Sequence, residues 1–109
     1  MGKLPSRYLK FQEEHPQVFA SYEALGKAAA AEGPLSRKEI ALVKLAIAAG
    51  ARMEGAVHSH TRRALEAGAT PEEIRQVIIL TVTTLGFPAM MANLSWVDEI
   101  LLSRTVQEQ

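Results

Sequence analysis

Residues 53–93 read MEGAVHSHTRRALEAGATPEEIRQVIILTVTTLGFPAMMAN, and no other stretch constrains the fold as strongly. It sets one histidine, His60, within an apolar stripe at helical spacing. A marked helix start follows at Thr70-Pro71-Glu72-Glu73. There a capping box, a proline at the first helical position and acids near the positive end of the helix dipole coincide. Residues 77–85 then carry no charge, and Gly86-Phe87-Pro88 interrupts the run. A helix that is apolar on every face is buried on all sides. In a chain of 109 residues, part of that burial is expected from another subunit.

The rest of the chain reads as helix too. No β-branched alternation and no Asn-Gly or Asp-Gly hairpin signal occurs. A first helix is expected from about Ser6 to Glu14. A second opens with Pro16 in its first turn and runs into the four alanines at 28–31, with Gly33-Pro34 as its stop. The third starts at the cap Ser36, with Glu39 three residues on. Ile40, Val43 and Ile47 form its stripe, which Leu42, Leu45, Ala46 and Ala49 widen; Gly50 weakens or ends it. The fourth is expected from near Arg52 to Ala67, with Gly68 beyond, and the fifth from Pro71 through the uncharged run. A last helix runs from about Ala89 to Thr105, with Met90, Asn93, Leu94, Val97 and Leu101 on one face. We expect one all-α domain over residues 1–109, a compact bundle of about six helices.

Composition narrows the function classes. Twelve basic and twelve acidic residues cancel, and no basic stripe marks a nucleic-acid binder. The start MGKLPSRYLK has no apolar core like that of a secretory signal. Met1-Gly2 with Ser6 meets only the bare myristoylation pattern, which is often met by chance. No apolar run is long enough for a membrane span, so a soluble, cytoplasmic protein is expected. The chain has no cysteine, which removes thiolate nucleophiles, disulfides and thiolate metal sites together.

His60 is the leading candidate for chemistry. Met53, Ala56, Val57, His60, Ala64 and Ala67 share one helix face. On it only His60 exchanges protons near neutral pH. The structural reading is a core histidine bonded to a backbone carbonyl; the functional one is a proton carrier. His58 points nearly the opposite way and shares a ridge with Glu54 and Arg62, both four residues from it. His58 and His60 lack the spacing of a two-histidine metal site, so no metal is expected. Glu39 is either a capping acid or a carboxylate turned inward to orient His60. Of Arg52, Arg62 and Arg63, Arg52 best fits a carboxylate-binding role at the start of the His60 helix. Tyr22 and Trp96 are read as core or pocket lining.

These blocks together resemble the carboxymuconolactone decarboxylase superfamily, which includes the alkylhydroperoxidase D-like proteins. The resemblance rests on Leu35-Ser36-Arg37-Lys38-Glu39-Ile40-Ala41-Leu42-Val43, on His60-Thr61-Arg62-Arg63-Ala64-Leu65-Glu66-Ala67-Gly68-Ala69-Thr70-Pro71-Glu72-Glu73-Ile74, and on Gly86-Phe87-Pro88-Ala89 with Asn93. It implies an all-α homo-oligomer, trimer or hexamer, with active sites near subunit contacts and no cofactor. It places the family's histidine on His60 and its glutamate on Glu39. The two redox cysteines of the alkylhydroperoxidase branch fall on Met53 and Ala56. A thioether and a methyl form neither thiolate nor disulfide, so dithiol peroxide reduction is not expected.

The decarboxylase branch does not need that pair. It implies lyase-type acid–base chemistry on a small carboxylated or lactone-like substrate, with His60 and Glu39 catalytic. Arg52, Met53, Ala56 and Val57 are then expected to contact the substrate. The competing expectation is a binding or assembly member that has lost its redox pair and does no chemistry.

Overall fold

The computed structural model of the chain describes the backbone of residues 6–108 and the side chains of residues 6–103. The Met1-Gly2 start and the last residue, Gln109, lie outside the described residues. Six α-helices follow one another: α1 (Ser6–Glu14), α2 (Pro16–Ala30), α3 (Arg37–Gly50), α4 (Glu54–Glu66), α5 (Pro71–Ile79) and α6 (Phe87–Glu108). A 3₁₀ helix at Leu80–Thr83 extends α5. No strand occurs among the described residues, and no helix among them is long and apolar enough to cross a membrane. The chain divides into two packing units at Leu35 and Ser36.

The first unit is the α1–α2 hairpin. Pro16 opens α2 without a side-chain cap on His15. The rings of Tyr8 and Phe19 meet edge-on at 5.2 Å between centroids, and the Tyr8 hydroxyl donates to Glu23 Oε2 at 3.3 Å. Neither helix has a fully buried residue. Tyr22, read from sequence as core or pocket lining, is exposed.

The second unit holds the core. Leu45 and Ala49 of α3, Val57 and Ala64 of α4, Ile74 and Ile78 of α5, and Val97 of α6 are fully buried. Trp96 packs half-buried against this cluster. Two capping boxes start α3 and α5. Ser36 Oγ accepts from the Glu39 N–H at 3.1 Å while Glu39 Oε1 accepts from the Ser36 N–H at 2.8 Å. Thr70 and Glu73 repeat the arrangement. Lys38–Glu73 at 3.0 Å joins α3 to α5, and Arg75–Asp98 at 2.9 Å joins α5 to α6. Both pairs are part-exposed, so each contributes at most about 1 kcal/mol.

Three expectations need correction. The buried face of α3 is not the Ile40–Val43–Ile47 stripe: Ile40 is half-buried, Val43 is exposed and Ile47 is 66% exposed, while Leu45, Ala48 and Ala49 are inside. α3 is apolar on adjacent ridges, and only the side turned toward α4 and α5 finds cover within the chain. The uncharged run does not continue as one α-helix but tightens to 3₁₀ after Ile79. It buries Ile78 and Thr81 and leaves Ile79, Leu80, Val82 and Leu85 exposed.

Third, α4 begins at Glu54, not near Arg52. Arg52 has φ +58°, the left-handed conformation that no α-helix continues through. Its N–H donates to the Ala49 carbonyl at 3.1 Å, and the Met53 N–H donates to Ala48 at 3.4 Å. These are the two bonds of a Schellman cap closing α3, with arginine where glycine usually stands. Gly68, with φ +97°, closes α4 the same way, through Ala69 N–H to Ala64 O at 2.9 Å. Arg52→Gly is therefore expected to raise stability by up to about 1 kcal/mol, by removing the Cβ strain of the left-handed site. Urea unfolding measures this; a lower midpoint would mean the Arg52 side chain makes a stabilising contact.

Candidate functional site

His60 sits half-buried on α4, on the side that faces α3. With helix periodicity, Arg37, Ile40, Ala41 and Lys44 fall on one face of α3. His60, Arg63 and Ala67 do the same on α4. The two faces enclose an open groove of about 310 Å³. Glu66 completes its rim, and Arg37 Nη1 donates to the Glu66 carbonyl across it at 3.2 Å. Arg37, Lys44 and Arg63 thus bring three cations to the groove against one carboxylate, Glu66.

The imidazole is the polar centre of this groove. His60 Nδ1 is buried and has no hydrogen-bond partner. The carbonyl bond that would mark a purely structural core histidine is absent. Burial disfavours the charged ring, and the positive charges of Arg63 and then Lys44 add to the effect, so the pKa falls below its ordinary 6.5. The ring is therefore neutral at neutral pH and available as a base. An anion in the groove would offset the neighbouring cations and draw a proton onto the ring.

The same shift predicts a pH dependence. His60 binds its proton more weakly when folded than when unfolded. Its contribution to stability is thus unchanged above about 6.5 and falls as pH drops from there through the folded value. Thermal melts between about pH 7.5 and 5.5 should show a loss in the parent chain that His60→Gln reduces. Parallel curves for the two proteins would contradict the depressed value.

The other sequence candidates lie elsewhere. Glu39 is exposed and holds the α3 cap, and no hydrogen bond links it to His60. Arg52 lies in the turn before α4 and is exposed, Met53 is 59% exposed, Ala56 is half-buried and Val57 has no exposed surface. None of these four lines the His60 groove. Arg37 and Lys44 line the groove without standing out in the sequence, and Arg63 lines it where Arg52 does not. The signal was present: Arg37, Ile40, Ala41 and Lys44 recur at helical spacing in the helix before His60. His58 turns away from the groove as expected, to a partner not anticipated, Glu99, at 2.7 Å.

The described residues form an all-α fold with a groove that His60 lines together with Arg37, Lys44 and Arg63. The family model of the carboxymuconolactone decarboxylase family matches residues 16–99. The chain belongs to the carboxymuconolactone decarboxylase family. A crystal structure of an apo carboxymuconolactone decarboxylase family protein from Legionella pneumophila has the same fold. It superposes with a TM-score of 0.76 at 24% identity, over 87% of this chain and 85% of that one. Among curated proteins none matches this chain.

Proposed function

We propose that this chain does cofactor-free, lyase-type acid–base chemistry on a small carboxylated or lactone-like molecule held in the α3–α4 groove. His60 moves the proton. The observation that carries this reading is that His60, whose buried Nδ1 has no partner, lines one groove together with Arg37, Lys44 and Arg63. Guanidinium groups offer paired donors to a carboxylate, and Lys44 adds a point charge.

In a decarboxylation the bond between the ring carbon and its carboxylate breaks, and carbon dioxide leaves. The electron pair passes into the conjugated carbonyl of the lactone as an enolate. The enolate charge favours protonation of the imidazole from solvent, and the imidazolium then delivers that proton to carbon. The cations stabilise the negative charge where it develops.

Glu39 is the second acid–base residue on the strength of the family resemblance. Its Oε1 is held by the Ser36 N–H, so only Oε2 or a released carboxylate is available to the imidazole. Arg52, Met53 and Ala56 act as substrate contacts only where another copy brings them to a groove, because within one chain none lines it; Val57, with no exposed surface, packs in the core of its own chain. A homo-oligomer, trimer or hexamer, is part of the proposal. Val43, Leu80 and Leu85 remain exposed along an apolar groove of about 390 Å³ between α3 and the end of α5, and Ile47 is exposed on α3. Light scattering tests this; a monomer at all concentrations would remove it.

The commitment of Glu39 to its cap favours a second reading, a binding or assembly member that holds an anion and leaves it unchanged. Carboxymuconolactone separates the two. Calorimetric binding together with release of carbon dioxide supports the lyase. Binding without release supports the second reading, and no binding in the groove removes both.

A further inference from the structure

On the side of α4 away from the His60 groove, three ligand-type side chains converge. Glu54 and His58 stand four residues apart on one ridge of α4, and Glu99 reaches them from α6. One donor atom from each lies within 4.8 Å of the others, and His58 Nε2 stands 2.7 Å from Glu99 Oε1. We infer that Glu54, His58 and Glu99 bind a divalent transition-metal ion between α4 and α6.

Charge is the first argument. Two carboxylates share this spot, and neither forms an ion pair with a lysine or arginine among the described residues. A protonated His58 offsets one of them and leaves the other uncompensated. A divalent ion offsets both, with the imidazole neutral as metal ligation requires.

Geometry is the second. Ligands about 2.1 Å from a tetrahedral ion lie roughly 3.4 Å from one another. Donor atoms within 4.8 Å reach that spacing by side-chain rotation alone. Glu99 is free to make it, its side chain being 56% exposed, while the His58 side chain, 21% exposed, is the more fixed member. The spacing that His58 lacks with His60 it has with Glu54.

Donor chemistry is the third. One imidazole nitrogen and two carboxylate oxygens form a set of intermediate softness, suited to zinc and its first-row neighbours. Three protein ligands leave a position for water, and the exposure of Glu54 and Glu99 admits it. Two positions apart on α4, His58 and His60 face nearly opposite ways, so this ion would sit apart from the anion groove.

The test uses the full chain without a histidine tag, titrated with zinc alone by calorimetry and by NMR of the imidazole rings. One zinc per chain is expected, with shifts at His58 and none at His15 or His60. His58→Ala and Glu99→Gln should each weaken binding at least tenfold, and Glu54→Gln should weaken it as well. Glu72→Gln, at an exposed acid on α5, should leave it unchanged. Circular dichroism checks that each variant is folded. Should His58→Ala not fold, Glu54→Gln in the exposed first turn of α4 decides. Absence of saturable binding, binding insensitive to these variants, or shifts centred on His15 or His60 would overturn the site.

Discussion

His60→Gln is expected to lower turnover of carboxymuconolactone by roughly 100- to 10,000-fold, the range lost with a positioned acid–base group. Glutamine keeps a polar, similarly placed side chain but carries no proton near neutral pH. Folding should be little affected, because the buried Nδ1 makes no hydrogen bond that the substitution would break. Binding of the substrate should persist, since Arg37, Lys44 and Arg63 remain. Loss of kcat with KM nearly kept would mark an interaction made in the transition state. Equal turnover in the two proteins would exclude His60 as the proton carrier. Loss of both turnover and the folded state would instead make it a packing residue.

The second large effect is on stability. Leu45→Ala should cost about 2–5 kcal/mol, because the side chain is fully buried at the centre of the α3–α6 core and its removal leaves a cavity. Ile47→Ala, two residues along the same helix, removes a comparable volume from a side chain that is 66% exposed. It should cost no more than about 0.5 kcal/mol in the isolated chain. Urea unfolding with unchanged slope distinguishes them. A Leu45→Ala cost under about 1 kcal/mol would contradict the assigned core. A large Ile47→Ala cost that grows with protein concentration would report cover from a second copy.

What could be read from the sequence follows from where the physics is local. Ser36 with Glu39 and Thr70 with Glu73 each determine a helix start within four residues, and both capping boxes form as read. Pro16 and Gly68 likewise act on the few residues around them. On α6 the face read from spacing is the inward one: Met90, Asn93, Val97 and Leu101 are buried and Leu94 is half-buried, while Phe87, Met91 and Leu102 stay exposed on other sides.

Where a helix is apolar on several sides, periodicity cannot choose among them. Residues Ile40, Val43 and Ile47 formed as regular a stripe as the ridge that the core took. Arg52 reads as the start of the next helix because Gly50 looks like the stop. The left-handed residue falls two positions later, on a side chain with no sequence mark for it.

The site shows the same division. His60 on an inward-facing surface follows from spacing, and the chain does place it against α3. Its cationic surroundings depend on which face of α3 it meets, a tertiary fact. The choice of Arg52 over Arg63 therefore rested on proximity in sequence, and the groove is built across two helices. Glu99 near His58 is a contact across 41 residues that no local pattern announces. Family membership holds over residues 16–99, while substrate and chemistry are carried by side chains that differ among members sharing a fold.

On the proposed reading, the α3–α4 groove holds a small anion against a neutral imidazole. NMR titration of the His60 ring, with and without malonate as the anion, tests it most directly. A midpoint below 6.5 is expected in the free protein and an upward move when malonate binds, with no malonate response at His15. A midpoint at or above the ordinary histidine value that malonate leaves in place would contradict it.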